Sequence, residues 1–209
     1  MDFFARLDSI RERWNVLEHP FYQRWSDGTL ERAELAFYAA EYRHAVIALA
    51  EAVDSAARAS EPELRPQLSE HAKEEAEHVE LWDGFANALD ADLDRAPRAE
   101  TRACRESWTS GRDALENLVA SFTIESGQPA IARTKLDGLL DRYGFEEGPA
   151  TEYFSLHAEL DHEHAAQSRE LIEERLADAD LDRLLEVAEG VLRGNWQLLD
   201  GCDRAARGA

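Results

Sequence analysis

Apolar positions along this chain return every third or fourth residue, and no segment shows the strict alternation of a half-buried strand. The pattern predicts helices at about 2–14, 20–26, 30–58, 62–89, 99–109, 112–127, 129–143, 149–176 and 180–205. The punctuation between them agrees. "HPF" opens the second helix, and "SDGT" separates it from the third. "SEPE" reads as a capping box, Ser60 to Glu63, ahead of the fourth. "GQP" breaks the chain at 127–129, and "YGFEEGP" turns it before the long helix that follows. Only the acidic "DADLDRAPRAE" at 90–100 reads as a flexible connection. With no repeat, low-complexity tract or domain linker, the 209 residues are expected to form one all-α helical bundle domain.

Composition changes this picture at three points. Apolar residues make up 44%, enough for a core, yet no stretch approaches the roughly 20 apolar residues of a membrane span. The first residues, "MDFFARLDSIRERW", are amphipathic and acidic rather than leader-like, so a cytoplasmic protein is expected. A net charge of −21 argues against nucleic acid or an anionic membrane as partner. Lys73 and Lys135 are the only lysines among 23 basic residues, and this scarcity beside an acid excess suggests high-salt surroundings. Cys104 and Cys202 stand far apart, in no ligand spacing, and read as free thiols.

The stretch "YFSLHAELDHEHAAQS", residues 153–168, carries the first candidate chemistry. At 100° per residue, His157, Asp161 and His164 share one stripe of roughly 60°, while His162 and Glu163 point away from it. A surface helix has no need of that selection. A second stretch, "HAKEEAEHVELWDGF", offers Glu75 and His78 at i, i+3, a spacing used by carboxylate-bridged di-iron bundles, with Glu74 as a rival at i, i+4. Glu125 follows the apolar Phe122 and Ile124, where a lone carboxylate is costly unless paired or metal-bound. Glu75, His78, Glu125, His157, Asp161 and His164 make a mixed O/N set suited to two iron or manganese ions. Glu41 and His44 repeat the Glu-x-x-His spacing, with Tyr38 and Tyr42 beside them.

"HPFYQRWSDGTLERAELAFYAAEY", "HVELWDGFANAL", "ESGQPAIARTKLDGLLDRYGF" and "YFSLHAELDHEH" together resemble the haem-oxygenase-like helical fold. The likeness covers about residues 15–205 and points to the branch holding thiaminase-II-like proteins, pyrroloquinoline quinone synthase and the haem-oxygenase-like di-iron oxidases. Thiaminase II keeps a nucleophilic cysteine on the helix that here reads "LVASFTIES", which has none. Quinone synthases work without metal, and the crowded acids match a metal site better. The chain is most similar to the bacterial p-aminobenzoate synthases that include the chlamydial protein associating with death domains. In that group a tyrosine of the protein is the precursor of the product ring and a lysine is implicated as amino donor. The matching positions are Tyr22, Tyr38 and Lys135, with Glu41 lining a substrate pocket. Lys135 is a lysine in a chain that uses arginine almost everywhere else, and arginine cannot give up its nitrogen as an amine can. An ion pair with Asp137 is the plainer account of it. The group can separate its first Glu and His by a short insertion, whereas "KEEAEH" is uninterrupted, so Glu74 and Glu75 both remain candidates.

The resemblance implies a non-haem di-iron oxidase with dioxygen as co-substrate, an external reductant, and either a small molecule or its own tyrosine as substrate. It is expected to be a homodimer. The competing expectations are a metal-independent enzyme of the thiaminase or quinone-synthase kind, and a helical binding protein with no activity.

Overall fold

The computed structural model describes residues 2–207, with the side chains of 160–163 and 206–207 outside that description. Among the described residues every regular element is helical: α1 (Phe3–Arg13), α2 (Pro20–Asp27), α3 (Arg32–Ala59), α4 (Arg65–Ala88), α5 (Ala99–Trp108), α6 (Ala114–Glu125), α7 (Gln128–Asp141), α8 (Glu152–Glu173) and α9 (Leu181–Arg207). A 3₁₀ turn at Val16–Glu18, capped by the Asn15 side chain, lies where the sequence pattern predicts nothing. No helix among these residues is long and apolar enough to cross a membrane.

Tryptophans fix the neighbours. Trp25, Trp82 and Trp108 are fully buried, and a buried indole N–H needs an acceptor. Each donates to a main-chain carbonyl of another helix: Trp25 to Lys135 at 3.1 Å, Trp82 to Ala39 at 2.8 Å, Trp108 to Val191 at 3.1 Å. These bonds tie α2 to α7, α4 to α3 and α5 to α9. Gly138 serves the first of them, because a Cβ there would stand 2.6 Å from the Trp25 ring.

Two expectations about the connections are corrected. Ser60 does not cap the fourth helix: its hydroxyl donates back to the Ala57 carbonyl at 2.7 Å and closes α3. Residues 61–64 form a turn, and α4 starts at Arg65, followed by Pro66, whose missing N–H costs nothing in a first turn. The capping box of this chain is instead Glu31 with Glu34, at the start of α3. The acidic connection near 90–100 is pinned rather than loose. The Glu41 carboxylate, fully buried in α3, accepts from Arg95 Nε at 3.1 Å, from the Arg98 main-chain N–H at 3.0 Å and from the Thr101 hydroxyl. His44 adds a contact to the Arg95 carbonyl at 3.0 Å. The second Glu-x-x-His pair is therefore a clamp on this segment.

Glu116, near the start of α6, holds that helix to α9. Arg112 is its strongest partner, and Arg183 adds contacts at 3.2 Å, together bringing the carboxyl down to about 2. A carboxylate depressed below its unfolded value of 4.5 contributes stability that is complete above pH 4.5 and is lost as pH falls through about 2. Glu116→Gln is thus expected to lower the melting temperature at pH 7 by about 2–4 °C. The gap to the parent should narrow as pH falls from 4.5 towards 2, as followed by calorimetry; a gap independent of pH would contradict the assignment.

Candidate metal centre and tyrosine chamber

The interior of α4 carries His71, Glu75 and His78 at i, i+4, i+7, all on one stripe facing α8 and α6. Glu75 is 1% exposed, whereas the Glu74 side chain is nearly half exposed and reaches His164 Nε2 at 3.2 Å. Of the two candidates that the sequence leaves open, Glu75 is the inward carboxylate. Its Oε1 lies 3.1 Å from His78 Nδ1 and 3.9 Å from His71 Nε2. His78 meets the His157 ring edge-on at 4.6 Å, and His71 lies 4.3 Å from the His164 ring. Glu125, buried at the last position of α6, closes the group with Oε1 3.3 Å from His71 Nε2.

These side chains form two triads, Glu75–His78–His157 and His71–Glu75–His164, with candidate ligand atoms in each lying within 4.8 Å of one another. Glu75 belongs to both. Of the sequence-predicted set, the structure therefore brings together Glu75, His78, Glu125, His157 and His164. Asp161 lies outside the described side chains, as do His162 and Glu163. His71 was not among the predicted residues, although its signal was present. His71–Glu75–His78 has the same i, i+4, i+7 spacing as His157–Asp161–His164, and His78 meets His157 while His71 meets His164.

Seven polar atoms of the cluster are buried with no hydrogen-bond partner: His71 Nε2, Glu75 Oε1, His78 Nδ1, both Glu125 oxygens, His157 Nε2 and His164 Nδ1. An atom left wholly unpaired costs about 1–3 kcal/mol; the ion contacts of His71 with Glu125 and of His78 with Glu75 offset part of that here. The His157 Nδ1–H donates to the Tyr153 carbonyl at 2.7 Å, which directs the Nε2 lone pair into the cluster. Burial lowers His157 to about 4 against the opposing pull of Glu75, so its ring is neutral near pH 7. Burial also opposes charge on His71, yet Glu125, Glu75 and Glu74 together outweigh it and raise that ring to about 9. For Glu75 itself burial pulls upward, but His78, His157 and His71 hold the carboxyl below its ordinary value. Oxygen and imidazole donors, convergent and buried, are the donor set that would suit first-row divalent cations.

A second group lies beside it. Lys135 in α7 is 2% exposed, and its Nζ sits over aromatic faces: Tyr42 at 4.6 Å, Tyr22 at 5.0 Å, Tyr38 at 5.4 Å, Trp82 at 5.7 Å and Phe154 at 5.8 Å. No carboxylate among the described residues pairs with it, neither Asp137 nor another neighbouring acid. Burial alone lowers the amine to about 7. The Tyr22 and Tyr38 hydroxyls share a hydrogen bond of 2.8 Å, and burial pushes both phenols well up. The two groups connect through rings: Trp82 meets Tyr153 edge-on at 4.9 Å, and Tyr153 stacks on His157 at 4.0 Å. Glu41, expected to line a substrate pocket, has its carboxylate committed to the clamp on Arg95, Arg98 and Thr101. Cys104 and Cys202 are free, buried thiols on α5 and α9, raised by burial, and neither lies on α6.

Comparison with known proteins shows the family and the fold. The TENA/THI-4/PQQC family matches residues 7–195. A protein of Chlamydia trachomatis serovar D named 4-aminobenzoate synthase is 31% identical over 212 residues, covering 96% of this chain and 91% of the relative. A Nitrosomonas europaea protein of the same name is 31% identical over 224 residues, covering 95% and 90%. Among solved structures, a TenA homologue from Pseudomonas syringae superposes with a TM-score of 0.83 at 16% identity, covering 97% of this chain and 91% of that one. A domain with a heme oxygenase-like fold from Shewanella denitrificans gives 0.82 at 18% identity, covering 99% and 94%. At such identities the structural likeness shows the fold.

Metal titration with elemental analysis checks the geometry. Glu75→Gln is expected to reduce Fe(II) or Mn(II) uptake at both positions, because it weakens the shared oxygen donor. His157→Ala should lose one position, whereas Glu74→Gln should retain the parental stoichiometry. Equal losses in Glu74→Gln and Glu75→Gln would contradict the placement of Glu75.

Proposed function

The chain belongs to the TENA/THI-4/PQQC family, and from that premise we propose that it is a metal-dependent, dioxygen-using oxidase that forms 4-aminobenzoate. The observation that carries the reading is the position of Lys135: a buried amine 5.0 Å from the Tyr22 ring, next to a cluster of unpartnered carboxylate and imidazole atoms. The relatives named 4-aminobenzoate synthase support the product. His71, Glu75, His78, Glu125, His157 and His164 would hold two iron or manganese ions, joined by whatever Asp161 contributes. Ions bound there would supply the capacity to activate dioxygen, with electrons from an external reductant.

The chain's own residues supply the rest. Lys135, lowered to about 7 by burial, exists in part as the neutral amine near pH 7, the form with a free lone pair. Tyr38 orients the Tyr22 phenol through their shared hydrogen bond. The surrounding rings of Trp82, Phe154 and Tyr42 exclude water from the amine and keep reactive species from solvent. In this proposal the Tyr22 Cα–Cβ bond breaks to release the product ring, dioxygen is the oxidant that takes Cβ to the carboxylate, and the Lys135 Cε–Nζ bond breaks as its nitrogen replaces the phenolic oxygen, which leaves as water, so each chain reacts once.

The test is single-turnover incubation with Fe(II) or Mn(II), reductant and air, reading product by chromatography and the protein by mass spectrometry. Product should not exceed one per chain, and the protein's mass should change at Tyr22. Tyr22→Phe and Lys135→Arg should each eliminate product while metal uptake is unchanged. Full activity in Tyr22→Phe, or many turnovers on an added substrate, would leave an oxidase but remove its self-consuming form.

A further inference from the structure

A second cavity, of about 440 Å³, opens between α1, α6, α7 and α9 on the far side of Glu125. Its volume falls within the range of about 300–1,000 Å³ typical of small-molecule sites. The walls include two indoles, Trp14 and Trp108, with Val16, Ile124, Ile131 and Leu192 between them. The polar groups of the lining can be accounted for one by one. The Trp14 N–H donates to Glu189 at 3.1 Å, and the Trp108 N–H to the Val191 carbonyl at 3.1 Å. The Thr123 and Ser126 hydroxyls donate to the main chain of their own helix. The Asn15 side chain accepts from the Leu17 N–H at 3.2 Å. Two buried atoms remain without partners: Arg11 Nε, a donor, and Asn195 Oδ1, an acceptor. Asn195 is only 8% exposed.

We propose that this cavity is a binding chamber for a small aromatic monoacid carrying a hydrogen-bond donor on its ring. The indole walls take the ring faces, Arg11 takes the carboxylate, and the Asn195 carbonyl takes the ring amine or hydroxyl. The Arg11 terminal nitrogens are already engaged by Asp8 at 2.9 Å and Ser126 at 2.6 Å, which leaves Nε for the ligand. Asp8 and Glu12 also stand in the lining, so Arg11 serves the carboxylate as a hydrogen-bond donor rather than as surplus positive charge, and any further negative charge on the ligand is opposed. Asn195 further joins the chamber to the chemistry. Its side chain hydrogen-bonds the Tyr42 phenol, and the Tyr42 ring lies 4.6 Å from Lys135 Nζ. An occupant touching Asn195 is thus one side chain away from the ring that packs on the amine. Taking the proposed function as given, 4-aminobenzoate has this pattern of groups, and the chamber is where the product is held after it forms. Only the occupant's identity as product rests on that reading; the recognition chemistry stands on the cavity.

The experiment is a nitrogen-15 NMR titration of the full chain with 4-aminobenzoate, benzoate and aniline, with no metal or reductant present. 4-Aminobenzoate should shift the Trp14 and Trp108 indole signals saturably. Benzoate lacks the donor and aniline the carboxylate, so each should bind roughly tenfold more weakly, the cost of leaving one buried group unpaired. Asn195→Leu should erase the preference for 4-aminobenzoate over benzoate, and Arg11→Met its preference over aniline. Ile131→Trp should fill the cavity and abolish the shifts. Shifts confined to Trp82, no saturable shift, or equal binding of all three ligands would overturn the proposal; the ligand series on the unaltered chain decides this even where a variant fails to fold. A chain that binds 4-aminobenzoate here but produces none under air and reductant would retain the chamber and refute the synthase reading.

Discussion

Seven polar atoms buried together without partners are the constraint around which the bundle is arranged. Left as they are, they oppose folding, because water cannot reach them and only the contacts of His71 with Glu125 and of His78 with Glu75 partly answer them. Three helices nevertheless converge to bring them together, and the apolar contacts of α3, α4, α6 and α8 offset their cost. Cations shared through Glu75 would reverse the sign of this arrangement, turning a penalty into binding energy that is also folding energy. The same reasoning explains the local details. Tyr153 orients His157, Glu125 stands where α6 ends at the Gly127–Pro129 break, and His71 is held against that carboxylate.

The tyrosine chamber faces the opposite problem, a cation-capable group among apolar rings. Cation–π contact attracts an ammonium, but desolvation outweighs it here and the amine drifts towards neutrality. The other lysine, Lys73, is solvent-exposed and paired with Glu70 at 3.4 Å. Trp25 ties the chamber to the scaffold. Its indole N–H holds the Lys135 carbonyl while its ring lies against Tyr38 at 5.6 Å. Packing and chemistry thus use the same side chains.

Much of this was legible in the sequence, because helix period alone places ligand-type residues on a common face. The stripe of His157 and His164 and the pair Glu75 and His78 follow from spacing, and the buried Glu125 from its place after an apolar run. His71 shows the limit. Its triplet with Glu75 and His78 repeats the spacing on α8, but the pattern gains meaning only when two helices are known to face each other. Glu74 and Glu75 could not be separated by period, since adjacent positions both lie within reach of His78; burial distinguishes them. Glu41 was misleading for a different reason. A carboxylate on an apolar face signals a buried partner, and the partner was the 90–100 segment, whose acidic composition reads as loose chain. The cavity beside Asn195 left no local signal, because its walls come from segments far apart in the chain.

The scarcity of lysine has a practical outcome. An acylating reagent meets two side-chain amines on this chain, one at the surface and one sealed under five aromatic rings. Lys73 should be modified at the pace of free solution, while Lys135 waits for α7 to part from its neighbours. The ratio of the two labelling rates is therefore a stopwatch for the breathing of the bundle, built into the chain and needing no introduced probe.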